Sequence, residues 1–256
     1  MAASLKKCDD IRFFNFYQIL ILILVHVILT YTYDYFLFLG PLVVLFFVFY
    51  KTIKHSVNFK QIGFEWQADS YVLFVLGLIL GMLAYNSVDF SNVVLKTSKF
   101  NVFYLILFVV FQTLAEDIVL GFILLIFFKK NIYLKLKPMY IIVLLSVFFS
   151  LHHFVFYGLN PFRYKSEYLD YISILSLFSF GFIRLYSMHY LKNISFSWGG
   201  HLGWNICFFS YDIYLHNKIL TEPQKFDLVF YNSNIPVFLF VFVIVIVISN
   251  FNSLLR

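Results

Sequence analysis

Charge is scarce in this chain. Only 12% of its 256 residues are Asp, Glu, Lys or Arg, against 62% that are hydrophobic. A soluble domain has too little interior to hide that much apolar surface, so the composition excludes one. Cysteine is scarcer still: the two, Cys8 and Cys207, are far apart and fit neither a disulfide framework nor a zinc-knuckle spacing. No internal repeat or low-complexity linker is evident, and the longest polar stretches, such as Lys51 to Asp69 and His216 to Asp227, have the length of loops. The chain therefore reads as a single membrane domain over residues 1–256. No interleaved basic and aromatic patch marks a nucleic-acid partner. The formal net charge of +6 is explained by loops that face anionic lipid.

Long apolar runs take the place of what is missing. Mean hydropathy is +0.85, and phenylalanine alone occurs 36 times. A spanning helix needs about 20 mostly apolar residues. That ruler finds Phe16 to Thr30, Tyr35 to Tyr50, Ser70 to Tyr85, Phe100 to Phe128, Met139 to Phe156, Tyr168 to Met188, Ser197 to Leu215 and Ile235 to Ser249. The expected fold is all-α, a polytopic membrane bundle of about eight transmembrane helices. The Phe100 stretch is long for one straight span and is expected to kink near Glu116, while Gly199, Gly200 and Gly203 are expected to make the Ser197 stretch irregular. The first run follows Lys6, Lys7 and Arg12 as a signal peptide would, but it has no small-x-small cleavage site and is expected to be retained. Basic residues concentrate in one set of loops, Lys129, Lys130, Lys135 and Lys137 among them. This predicts a multi-pass protein of the cell membrane with both termini cytoplasmic.

Several polar residues interrupt the apolar runs, where an ionised side chain at a helix centre costs roughly 2.5 to 3.5 kcal/mol on insertion scales. Glu116 and Asp117 are adjacent, so a regular helix turns them about 100° apart and they cannot both face one partner. One is expected to be functional and the other supporting. Desolvation disfavours a charged carboxylate, which makes such a group a competent proton acceptor near neutral pH once a histidine shares the proton. His152 and His153 are consecutive, with Phe148 and Phe149 four residues before each, and only one of the two can face inward. His201 and Asn205 stack on one helix face at i, i+4, beside a glycine, Gly203, that leaves room for close backbone approach. Together they can donate two hydrogen bonds to one oxygen, the chemistry of an oxyanion site. His26 and His189 read as hydrogen-bonding groups in helix packing.

In order, these strings are Glu116-Asp117, then Phe149-Ser150-Leu151-His152-His153, then His201-Leu202-Gly203-Trp204-Asn205. The set resembles the CAAX protease and bacteriocin-processing (CPBP) family of intramembrane proteases, also called the Abi family. Its motifs are Glu-Glu-x-x-x-Arg, Phe-x-x-x-His and His-x-x-x-Asn on a bundle of about eight helices. The resemblance runs from residue 111 to 207. It implies that Glu116, with His153, polarises a water that attacks a peptide carbonyl inside the bilayer, while His201 and Asn205 hold the oxyanion. His153 is preferred to His152 because Phe149 to Phe154 reads more like the family's Phe-Gly-Leu-Ala-His-Leu; the alternative pairs Phe148 with His152. Asp117 stands where the family has its second glutamate. Gly121 stands where it has arginine. Arg184 is the one arginine that could brace this motif from another helix, but near the end of its span snorkelling into headgroups is the favoured reading.

The implied activity is an endopeptidase acting on a membrane-associated protein or peptide: a prenylated CAAX tail, a leader peptide or a sorting tail. No cofactor is required. A zinc site is the less favoured alternative, since no His-Glu-x-x-His is present. The rival class, which Gly121 favours, is a non-catalytic protein on the same scaffold, acting in bacteriocin self-immunity or as an assembly partner. A proton-relay transporter is weaker, because repeats and paired broken helices are not seen. Along straight helices, Glu116 lies about 18 Å from Phe128 and His153 about 21 Å from Met139, so these two could meet. His201 lies only about 6 Å from Ser197. Its depth requires either non-helical backbone before it or a misplaced boundary.

Overall fold

Where an apolar run meets a residue able to cap it, a helix begins. Asn15 and Gln18 open α1 (Phe16–Thr32) reciprocally: Gln18 N donates to Asn15 Oδ1 at 2.9 Å and Asn15 N to Gln18 Oε1 at 3.3 Å. The rods that follow are α2 (Leu39–Lys54), α3 (Ala68–Asn86), α4 (Val102–Glu116), α5 (Leu124–Asn131), α6 (Pro138–Leu159), α7 (Tyr171–Leu191) and α8 (Ser195–Lys218). Pro138 opens α6 in the first turn, where its missing N–H costs nothing. Ser195 N donates to Asn193 Oδ1 at 2.6 Å and opens α8. The computed structural model describes residues 14–32, 39–65, 67–86, 102–131, 137–159 and 171–218; the side chains of 27–32, 84–86, 102–106, 108, 130–131, 153–159, 171–174, 176 and 208–218 lie outside it. The expected span from Ile235 to Ser249 also falls outside the described residues.

The fold is all-α, with no strand among the described residues. A π-helical segment, Asp117–Ile123, joins α4 to α5 in one continuous rod. The departure from regular helix expected near Glu116 therefore takes the form of a wider turn that starts at Asp117. This rod is the centre of the bundle, and residues 113–126 are all buried. Among the described residues it supplies the one helix, Val109–Lys129, that is both long and apolar enough to cross a bilayer. Polarity is inverted relative to a soluble bundle. Thr113, Glu116, Asp117, Ser146, Arg184 and His201 are buried, while Tyr17, Phe46, Val72 and Leu151 are exposed on the outer faces of α1, α2, α3 and α6. Apolar surface spread over four helices is what a lipid-facing exterior requires.

The glycine-rich start of α8 is regular helix, contrary to the expected irregularity. Its glycines serve contact with α3. A Cβ at Gly77 would fall on Phe196 O, one at Gly81 on Gly200 O, one at Gly199 on Phe74 O and one at Gly203 on Leu78 O. Gly77–Gly81 and Gly199–Gly203 thus form two facing small-x-x-x-small stripes, the motif by which helices approach closely in lipid.

The depth of His201 follows from the chain before α8. A short 3₁₀ turn, Phe59–Ile62, is capped by Asn58 and closed by Gly63 at φ 84°, and it folds against the bundle so that Ile62 is fully buried. Ile194 N donates to Gly63 O at 3.0 Å, and Asn193 Nδ2 donates to Ser70 Oγ at 2.6 Å. The first turn of α8 is covered by protein and does not lie at the surface of the bundle. His201 is reached by regular helix from Ser195 and is buried in the bundle.

Candidate active site

The site begins where α4 becomes π-helical. Single-turn π segments inside α-helices occur often at functional sites, and here the change coincides with the two adjacent carboxylates. Thr113 Oγ1, one turn earlier, returns to Val109 O at 2.8 Å and accepts from Trp198 Nε1 at 3.2 Å. The second bond ties α8 to α4 beside the site. Gly121, within the π segment, is where α7 closes in: a Cβ there would stand 2.6 Å from Met188 Cε.

Asp117 is fully buried and heavily bonded. Arg184 donates to Oδ1 twice, from Nε at 3.0 Å and from Nη2 at 2.8 Å. Ser197 Oγ donates to the same oxygen in a very short contact. Oδ2 faces His201 Nδ1 at 3.2 Å. The guanidinium of Arg184 is only 3% exposed and lies over the Phe149 ring at 4.6 Å and the Phe180 ring at 5.6 Å. Arg184 thus does not snorkel, and the reason is electrostatic: a buried carboxylate without a cation is far more costly than a buried pair. A small cavity lined by Gly121, Phe149, Gly181, Arg184 and Met188 adjoins the guanidinium. The arginine absent at Gly121 has its charge delivered to Asp117 from α7.

Glu116 is 1% exposed and meets a different set of partners. Gln112 Nε2, one helical turn back, donates to Oε1 at 3.1 Å. His26 Nε2 lies 3.6 Å from Oε1, and His201 Nε2 lies 3.7 Å from Oε2. The His201 ring is inserted between the two carboxylates, one nitrogen toward each. This corrects the expectation that adjacent carboxylates cannot share a partner. An imidazole has nitrogens on opposite sides of its ring, so it bridges groups that diverge along the helix. Phe180 meets the His201 ring edge-on, with centroids 5.6 Å apart.

The remaining expected residues are placed unequally. Asn205, one turn beyond His201, is partly exposed, and its amide has no hydrogen bond to the described side chains that hold Glu116 or Asp117. His152 is buried and stacks at a tilt on Phe148, with centroids 6.0 Å apart. The backbone of His153 continues α6, but its side chain lies outside the described residues. Phe149 is buried against Arg184, while Phe148 is exposed. Three side chains at the site carry no assignment from the motifs: Ser197, Gln112 and His26. Ser197 precedes His201 by four residues and Gln112 precedes Glu116 by four, so same-face spacing could have found both. Nothing local marks His26. No group of three or more His, Cys, Asp or Glu side chains is arranged to hold a metal ion among the described residues.

The arrangement can hold one carboxylate neutralised and rigid while a second is left to exchange a proton with imidazole or water. The family model of type II CAAX prenyl endopeptidase Rce1-like proteins matches residues 98–207, consistent with the CAAX protease and bacteriocin-processing family. That family is membrane-embedded and typically proteolytic. No curated protein and no solved structure matches the chain.

Proposed function

We propose, on the premise of an Rce1-like core at residues 98–207, that the protein is an intramembrane endopeptidase in which Glu116 activates water. Its substrate is a membrane-associated protein or peptide: a prenylated CAAX tail, a leader peptide or a sorting tail. The protein crosses the cell membrane several times with both termini in the cytoplasm, a reading that the asymmetry of basic loops supports.

The observation that carries this reading is the unequal bonding of two neighbouring carboxylates. Asp117 accepts from a guanidinium and a hydroxyl at Oδ1 and faces an imidazole at Oδ2, so its charge is already committed to a cation. Glu116 accepts from the neutral Gln112 amide and has His26 Nε2 at 3.6 Å from Oε1 and His201 Nε2 at 3.7 Å from Oε2. The 3.7 Å between Glu116 Oε2 and His201 Nε2 is too long for a direct bond and short enough for one water to touch both. In the proposed reaction Glu116 takes a proton from this water as its oxygen bonds to the carbonyl carbon. The developing oxyanion is held by the Asn205 amide and by His201. When the carbon–nitrogen bond breaks, Glu116 passes the proton to the leaving amine. The route needs no cofactor.

The non-catalytic alternative drew its support from Gly121. Arg184 on Asp117 supplies the cation that Gly121 cannot, which removes that support.

Glu116→Gln tests the proposal, because it keeps size and hydrogen-bonding capacity but removes the proton acceptor. Cleavage of prenylated and leader-type peptides in proteoliposomes should fall by roughly 10²- to 10⁴-fold, with membrane abundance and thermal unfolding unchanged. Full turnover by this variant would exclude Glu116 as the base, and absence of cleavage by the wild-type chain would move the protein to the non-catalytic class.

A further inference from the structure

The segment that matches the family model starts at residue 98, and one group against Glu116 comes from outside it. We propose that His26 of α1 is a positioning residue of the site: its imidazole works on Glu116 Oε1 and so dedicates Oε2 to the reacting water.

The placement argues for it. Helix α1 presents Tyr17, Leu20, Ile21 and Leu24 outward, while Ile19, Leu22 and His26 are buried, a stripe at i, i+3 and i+7 that faces the bundle. Packing alone would be served by a third aliphatic residue. His26 is 2% exposed, neither of its ring nitrogens has a hydrogen-bond partner among the described residues, and its Nε2 points at Glu116 Oε1 across 3.6 Å. Buried polar atoms in native proteins find partners. A shift of roughly half an ångström brings this pair to hydrogen-bond distance, and contacts of this kind commonly tighten only when substrate is bound.

With Gln112 Nε2 on Oε1 at 3.1 Å, an N–H from His26 would engage the same oxygen. Oε2, on the His201 side, is then the lone pair that takes the proton. The site is thus closed by α1 as well as by the helices of the matched segment. The kinetic consequence rests on the protease reading; the contact between His26 and Glu116 does not.

The test uses the full chain in lipid nanodiscs with ¹⁵N-labelled imidazoles. Glu116→Gln should move the Nε2 resonance of His26, identified by its loss in His26→Gln; an unmoved resonance in a folded variant overturns the proposal. On a cleaved peptide, His26→Leu should lower kcat roughly 10-fold or more, short of the loss expected for the base itself, with KM within about two-fold. His26→Gln, which restores an N–H donor of similar reach, should recover most of that loss. Equal kcat in the leucine variant and the wild-type chain, or no recovery with glutamine at an unchanged melting temperature, overturns the proposal. If the wild-type chain cleaves no peptide, the protease reading fails, and the resonance shift decides the role of His26 by itself.

Discussion

Glu116 and Asp117 share a helix turn, near-complete burial and the same charge type, and they differ in what holds them. Around Asp117, α7 and α8 converge with Arg184, Ser197 and His201, and two phenylalanine rings close over the guanidinium. Around Glu116, α1, α4 and α8 bring His26, Gln112 and His201, with no guanidinium or ammonium group among these partners. The lesson is a division of labour. A bundle that places two carboxylates side by side in an apolar interior can afford a reactive one only if the other organises the helices that carry its partners. His201 links the two, with Nδ1 at 3.2 Å from Asp117 Oδ2 and Nε2 at 3.7 Å from Glu116 Oε2; under the proposed mechanism its orientation is set on the first side and used on the second.

If that division holds, the two halves should fail differently. Glu116→Gln should give the largest loss of turnover and little loss of stability. Arg184→Ala should leave Asp117 buried without its cation, which typically costs roughly 3 to 5 kcal/mol. It should therefore lower the melting temperature and membrane abundance before any effect on chemistry is resolved. Arg184→Lys should rescue only in part, because a lysine cannot make the paired Nε and Nη2 bonds. Thermal unfolding of purified protein in detergent, run beside peptide cleavage, separates the outcomes. Equal destabilisation by Glu116→Gln and Arg184→Ala would erase the distinction.

Asn205, one turn beyond His201 on α8, is assigned to the oxyanion by the proposed mechanism and makes no hydrogen bond to the described side chains around Glu116 and Asp117. Asn205→Ala should slow cleavage by roughly 10²- to 10³-fold if the amide donates to the oxyanion, with no change in melting temperature. A drop in stability comparable to that of Arg184→Ala would instead make Asn205 a packing residue.

How far this was legible in the sequence depends on the range of each contact. The all-α class followed from the near absence of charge and the lengths of the apolar runs. The order of the three polar strings pointed to the family. The glycines of α8 look like helix breakers when taken alone; paired with Gly77 and Gly81 of α3, Gly199 and Gly203 belong to helix contact. Arg184 near the end of its run suggests snorkelling, because its partner, Asp117, lies 67 residues away and no local pattern encodes that pairing. His26 is the extreme case. A single histidine in an apolar run has no spacing signature, and its part in the site comes only from how α1 docks on the π segment.

The smallest expected effect is also the sharpest probe of how the halves are joined. Trp198 Nε1 donates to Thr113 Oγ1 at 3.2 Å, a bond from α8 to α4 that touches neither carboxylate. Trp198→Phe removes the donor and keeps an aromatic ring against Phe64 and Phe74. Thr113 Oγ1 keeps its bond to Val109 O, so no orphaned group remains there, and the stability cost should be about 1 kcal/mol. The Asp117 cluster is over-determined and should hold. The Glu116 side is the more sensitive to a small shift of α8, because its His201 contact is already 3.7 Å, against 3.2 Å on the Asp117 side. Cleavage should therefore fall several-fold, less than the roughly 10²-fold that a 1 Å misplacement can cost, while the melting temperature moves by only a few degrees. Loss of stability without loss of rate would mean that the Glu116 side is as firmly held as the Asp117 side, and the proposed division between them would have to be abandoned.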